Sequence, residues 1–194
     1  MCRTAAQLFR DRGFDATSVS DVARALGLTK AGLYHHFESK EALLFEILTF
    51  GLDRVRDEVL VPVRAIRDPE ERLRQLIARH ARIATRGQGA VAYLGDEVRA
   101  LPPSARREIE RRQRVYLDLL QRTLAELKKQ RKLHHVDPTV AAFGIIGMIL
   151  WLPRWFRQGG RLTPEQVADA MAAIALDGVM HKNGARPRKR KKKR

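Results

Sequence analysis

The chain has 194 residues and a single cysteine, Cys2, so no intramolecular disulfide framework is available and a reducing compartment suits it. No Cys/His cluster has zinc-ligand spacing, and no nucleophile elbow or phosphate-cradling loop is present. Catalysis therefore has no positioned acid, base or nucleophile, and no metal or cofactor is expected. His134-His135 beside Lys132 reads as a surface turn. No uninterrupted apolar run reaches 18 residues, which argues against a membrane span. Arg3, Arg10, Asp11 and Arg12 break any secretory h-region. The expected location is cytoplasmic. No strand-like alternation and no internal repeat occurs, so the expected class is all-α.

Anions are scarce: Asp and Glu number 22 against 38 Lys and Arg, for a net charge of +16. The last nine residues, Arg186-Pro-Arg-Lys-Arg-Lys-Lys-Lys-Arg194, carry eight cations and no anion, half of that net charge. Repelling charges around a proline cannot pack, so 182–194 is expected to be a disordered basic tail attracted to phosphates without base selectivity. A solvated tail of no consequence is the bland alternative, and a nuclear-import run a weaker one.

The most informative stretch is Thr17 to Lys40, TSVSDVARALGLTKAGLYHHFESK. Val19, Val22, Ala23 and Leu26 form one apolar stripe on a short helix opened by Ser18 or Ser20. Gly27 supplies a positive-φ turn and Leu28 packs back. Thr29 is the N-cap of a second helix through Leu33 to Phe37. Its polar face carries Thr29, Lys30, Tyr34 and His35, side chains able to reach phosphates and base edges. Ser39 and Lys40 open the next helix, where N–H groups and a lysine suit a phosphate. This is a helix–turn–helix for the major groove; two ordinary amphipathic helices are the alternative. Lys30 and His35 are assigned to base edges, and Ser18, Thr29, Tyr34 and Lys40 to the DNA backbone.

Phe9-Arg-Asp-Arg-Gly-Phe14, Thr17, Val22-Ala-Arg-Ala-Leu-Gly27, Gly32-Leu-Tyr-His-His-Phe37 and Lys40-Glu-Ala-Leu-Leu44 together resemble the DNA-binding domain of TetR-type transcriptional regulators. The resemblance implies an all-α homodimer, usually a repressor, released from a palindromic operator by a small molecule bound in its C-terminal domain. Regulators of this type usually have a longer first helix, often after a basic arm. Here Met1 falls at the middle of that helix: the start is late, or the natural protein begins upstream. The C-terminal tail is expected to replace part of the arm's contacts.

Beyond Lys40 the pattern predicts a connector helix from Glu41 to Leu60 ended by Pro62 and a helix from Asp68-Pro69 to about Arg86. A short helix over Ala90–Val98 and a long one over Ala105–Leu133 follow. Two more open at Asp137-Pro138 and Thr163-Pro164 and run to Phe156 and about Met180, for about nine helices in all. The expected organisation is a three-helix helix–turn–helix domain over 1–45, a ligand-binding and dimerisation domain over 46–181, and the tail.

FGIIGMILWLPRWF, Phe143 to Phe156, is apolar around most of its circumference and is expected to be buried on nearly all sides. Gly144 and Gly147 leave a smooth face, and this helix with the last one, through Val167, Ala170, Met171, Ile174 and Val179, is the expected homodimer contact. Monomer core is the alternative. Two reading helices would then enter successive major grooves about 34–36 Å apart. Trp151, Arg154 and Trp155, beside a kinking Pro153, would form an apolar cavity with a buried cation, fit for an amphipathic anion. The opposing reading places the tryptophans in the core and Arg154 on the surface. Tyr93, Asp96, Tyr116 and His80 are further lining candidates. The Gly95-Asp-Glu-Val98 and WLPRW segments, with GGRLTPEQVA, resemble a TetR-type branch whose members often answer to acyl-CoA thioesters of lipid or steroid breakdown. The resemblance thus implies double-stranded DNA, an acyl-CoA-like effector and a second copy of the chain as partners, and no membrane. A regulator without an effector, constitutive or activating, and a nonspecific architectural DNA-binding protein remain as alternatives.

Overall fold

The computed structural model describes residues 1–86, 96–134 and 136–180, with the Asp96 side chain excepted. The tail over 182–194, most of the short helix expected over Ala90–Val98, Tyr93 and His135 lie outside them. Among the described residues the fold is all-α. It comprises α1 (Cys2–Arg12), α2 (Val19–Ala25), α3 (Lys30–His36), α4 (Lys40–Val55), a π-turn (Arg56–Leu60), α5 (Val61–Arg64), α6 (Pro69–Thr85), a 3-10 turn (Asp96–Ala100), α7 (Pro103–Lys129), α8 (Pro138–Trp155) and α9 (Pro164–Val179). Taking α4, the π-turn and α5 as one rod gives eight helices plus the 3-10 turn.

The helix starts follow local chemistry. Asp68 accepts from the Glu71 N–H at 2.9 Å, Asp137 from Thr139 and Val140, and Thr163 from Gln166 in a full capping box. Each acceptor is followed by a proline at the first helical position, where the missing N–H costs nothing.

Pro62 does not end the connector. The chain stays helical to Arg64 because the turn before the proline widens: the Val61 N–H donates to Arg56 O, five residues back. The carbonyl a proline at 62 leaves without its helical donor is that of Glu58. Arg79 of α6 donates to that oxygen at 3.3 Å. α7 begins at Pro103 and ends at Lys129, not Leu133, because Arg131 takes a left-handed φ of 58° and turns the chain. Leu133 then pairs with Met180 in an isolated bridge, and His134 N–H donates to Val179 O at 2.9 Å.

Two hydrophobic clusters result. One joins α1–α4 through Phe9, Phe14, Val22, Leu33, Leu44 and Ile47, and draws in Val98, Leu101 and Ile109 from the 3-10 turn and the start of α7. The other fills the body, where α6 packs against α7, α8 and α9. By length and composition α8 is apolar enough to cross a bilayer. One side of it is core, with Ala141, Ala142, Ile145, Ile149 and Leu152 buried. Burial on nearly all sides does not hold: Val140, Phe143, Leu150, Trp151 and Trp155 are exposed, because α6 and α7 cover only one face.

Candidate nucleic-acid interface and ligand cleft

Seven-residue helices are too short to persist alone, so α2 and α3 depend on caps and packing. Ser18 and Asp21 form a reciprocal box: the Asp21 N–H donates to Ser18 Oγ and the Ser18 N–H to Asp21 Oδ2, both at 3.1 Å. The Ser18 hydroxyl, which also donates to Asp21 Oδ2, and after it the Ser18 N–H hold the Asp21 carboxyl below its usual range. Gly27, at φ 68°, turns the chain while the Leu28 N–H reaches back to Ala23 O at 2.9 Å. Thr29 Oγ1 then accepts from the Gly32 N–H at 3.0 Å and starts α3.

Leu33 is the buried anchor of α3. At 100° per residue, Ala31 and His35 point most directly away from it, with Lys30 and Tyr34 to one side. Lys30, Ala31, Tyr34, His35 and His36 are all exposed. Ala31 escaped the sequence reading because a methyl carries no polar signal, yet it occupies the outermost line of the helix and can meet a thymine methyl. The site residues differ in what already engages them. The Ser18 and Thr29 hydroxyl oxygens accept cap bonds. Lys40 turns inward: its ammonium donates to Phe14 O at 2.9 Å and Thr17 O at 3.2 Å, and lies 4.2 Å from the centre of the Phe14 ring. It ties α4 to the loop that precedes α2.

The ligand-domain candidates do not converge on one cavity. Trp151 and Arg154 line an open cleft of about 1090 Å³ with Gln7, Arg10 and Asp11 of α1, Thr85 at the end of α6, and Arg157. Arg154 is not buried in an apolar cavity; it is exposed, with its guanidinium 4.5 Å from the Trp151 ring centre. Pro153 lies within the last turn of α8. Trp155 is exposed and meets Phe156 edge to face. Tyr116 sits apart in the core of the body, where its hydroxyl lies 3.0 Å from His80 Nδ1 and the two rings meet edge to face at 5.0 Å. Desolvation pushes the His80 imidazole down to about 4 and raises the Tyr116 phenol. Asp96 opens the 3-10 turn. Among the described residues no cluster of three or more His, Cys, Asp or Glu could hold a metal.

Comparison with known proteins agrees with this layout. Residues 2–47 match the family "Bacterial regulatory proteins, tetR family", and residues 67–179 match "Tetracyclin repressor-like, C-terminal domain". The HTH-type transcriptional repressor KstR2 of Rhodococcus jostii is 32% identical over 177 residues, covering 90% of this chain and 87% of KstR2. The crystal structure of AibR in complex with isovaleryl coenzyme A and operator DNA superposes with a TM-score of 0.79 at 39% identity, covering 89% of this chain and 94% of AibR. KstR2 of Mycobacterium tuberculosis, a ketosteroid transcriptional regulator, superposes with a TM-score of 0.82 at 28% identity, covering 93% of each chain.

Proposed function

The chain belongs to the TetR family of DNA-binding transcriptional repressors, which are not enzymes, and from that premise we propose that it is released from a palindromic operator by an acyl-coenzyme A-like effector. Residues 1–45 read DNA and 46–181 bind ligand and dimerise. Lys30, Ala31 and His35 meet base edges, and Ser18, Thr29 and Tyr34 position the phosphates. Lys40 serves the interface through the loop it anchors. The work is done in the cytoplasm, where a bacterial operator is.

The homodimer forms through α8 and α9. The outer face of α8 carries Val140, Phe143, Gly144, Gly147 and Leu150, and that of α9 carries Ala170 and Ile174, all exposed in one protomer. A Cβ built on Gly144, Gly147 or Gly178 would meet nothing within 4 Å, so a second copy can approach closely there. Two-fold symmetry then pairs the reading helices on a palindrome.

The observation that carries effector control is the shared core. Val98, Leu101 and Ile109 follow the ligand domain's α6 in sequence but pack among Phe9, Phe14 and Leu44 of the reading head. Arg112 of α7 adds an ion pair to Asp53 of α4 at 3.1 Å. A ligand seated at Trp151 and Arg154, in a cleft walled by both α1 and α8, disfavours one setting of the reading heads by moving either wall. Native mass spectrometry followed by DNA binding with isovaleryl coenzyme A tests the proposal. A dimer whose DNA affinity falls about 5- to 150-fold on adding the thioester supports it. A dimer indifferent to the thioester removes that effector class, and a monomer removes the paired reading heads.

A further inference from the structure

The open cleft between the reading head and the body is divided by chemistry as well as by domain. From the body, α6 contributes Ala84, and α8 with its C-cap contributes Trp151, Pro153 and Phe156. From the head, α1 contributes Gln7, Arg10 and Asp11. Among the described residues, every apolar side chain that lines the cleft therefore stands on the body wall. Cations stand on both walls: Arg10 on α1, and Arg154 and Arg157 at the end of α8. Asp11 is the one carboxylate among the described lining residues.

The head wall is built by the periodicity of α1. Gln7, Arg10 and Asp11 lie three and four residues apart, on the side of the helix opposite Ala5, Ala6 and Phe9, which enter the head's core. Asp11 holds its two neighbours in place. Gln7 Nε2 donates to Asp11 Oδ2 at 2.8 Å, and Arg10 Nε donates to Asp11 Oδ1 at 3.0 Å. Across the cleft, the Arg154 guanidinium lies 4.5 Å from the Trp151 ring centre, and Arg157 Nη1 donates to the Arg154 and Phe156 carbonyls at 3.4 Å.

This division orients an occupant. At about 1090 Å³ the cleft lies just above the roughly 300–1,000 Å³ that holds a drug-sized ligand, so an effector that fills it touches both walls. An acyl group laid against α1 would desolvate Gln7, Arg10 and Asp11 and return no hydrogen bond. A phosphate laid there takes charge-assisted hydrogen bonds from a guanidinium fork that matches its oxygens.

Resting on the acyl-coenzyme A reading above, we propose that Arg10 of α1 is a phosphate-binding residue of the effector cleft. The acyl group lies on the body wall at Ala84, Trp151 and Phe156, and a phosphate of the nucleotide end lies between Arg10 and the guanidiniums that close α8. The effector is then a strut with one end on the reading head itself. Arg10 adjoins Phe9, which is 1% exposed in the head's core, so a load on the guanidinium enters the head without an intermediate element.

The test uses the full chain and two probes: isovaleryl coenzyme A, and S-isovaleryl pantetheine, which carries the same thioester and no phosphate. Both tryptophans of the chain, Trp151 and Trp155, lie at this end of α8, so their fluorescence reports binding. Arg10→Gln should weaken isovaleryl coenzyme A about ten-fold or more and change S-isovaleryl pantetheine by less than about two-fold. Asp11→Asn keeps an acceptor for Arg10 but removes the anion facing the phosphate, and should tighten isovaleryl coenzyme A by about two- to five-fold. Circular dichroism and native mass confirm that the variants fold and assemble. Equal affinity of Arg10→Gln and the wild type for isovaleryl coenzyme A overturns the inference and leaves the effector reading intact. A parallel loss of both probes also overturns it, because Arg10 then shapes the cleft without holding a phosphate. Weaker binding in Asp11→Asn does the same. A wild type that binds neither probe brings down the effector reading itself, and this inference with it.

Discussion

The reading head and the body hold themselves together by different means. In the head, short helices are fixed end by end: Ser18, Thr29 and Ser39 cap three successive starts, Gly27 makes one turn, and the Lys40 ammonium ties loop to helix. In the body, long helices share a continuous apolar seam from Val59 to Met180, and charged pairs such as Arg72–Glu126 lie at its margins. The head can hold its polar side chains outward because its geometry comes from local bonds. The body's function has to come from its interior, from the cleft beside α8, or from the uncovered outer face of α8 and α9. The two meet where Val98, Leu101 and Ile109 leave the body's chain to complete the head's core.

That meeting point is the place to break the contrast. Leu101→Ala removes a side chain only 2% exposed and should cost about 2–5 kcal/mol, by urea denaturation. DNA binding should fail before the body's helical signal does. Simultaneous loss of both would mean that the two cores form one unit.

An effect confined to the body comes from His80. Its folded-state pKa is about 4, below the unfolded value of about 6.5, so the fold favours the neutral ring. The stabilisation is complete above about pH 6.5 and is lost as pH falls toward 4, by about 3 kcal/mol at most. His80→Phe should flatten that part of the stability profile, and an unchanged profile would show that the imidazole does not titrate there.

Within the head, Gly27→Ala isolates backbone strain, since a Cβ there meets nothing within 4 Å and the φ of 68° is the whole difference. About 1–2 kcal/mol should be lost, measured against the Leu101 variant. The smallest effect belongs to the body's surface. Arg86→Ala breaks a pair that is more than half exposed on both sides, and its melting curve should move by the equivalent of about 0–1 kcal/mol.

The same contrast explains what could be read in advance. Helix starts at Ser18, Thr29, Asp68, Asp137 and Thr163 were legible because a cap and the two or three residues after it suffice. Helix continuity through Pro62 was not, since it comes with a turn widened to bond the Val61 N–H five residues back, which no local residue pattern announces. The inward turn of Lys40 depends on where the Phe14 and Thr17 carbonyls end up, which no local pattern encodes. In α8, apolar residues announced burial but not by what. Periodicity cannot distinguish a face covered by its own chain from one left exposed. The separation of Tyr116 from Trp151 has the same cause: one is buried beside His80 and the other is exposed at the cleft, a difference set by nonlocal packing.

The π-turn at Arg56–Leu60 works as a gear between the two cores. Leu43, Leu44, Ile47 and Leu48 ahead of it engage the head, while Val59, Leu60 and Val63 at its end and beyond engage the body. One additional residue in a turn sets back the angular phase of everything downstream by about 100°. A single rod can therefore mesh with two partners that face different directions. Deleting Asp57, which belongs to neither core, would leave each core's composition intact and rotate the two out of mesh.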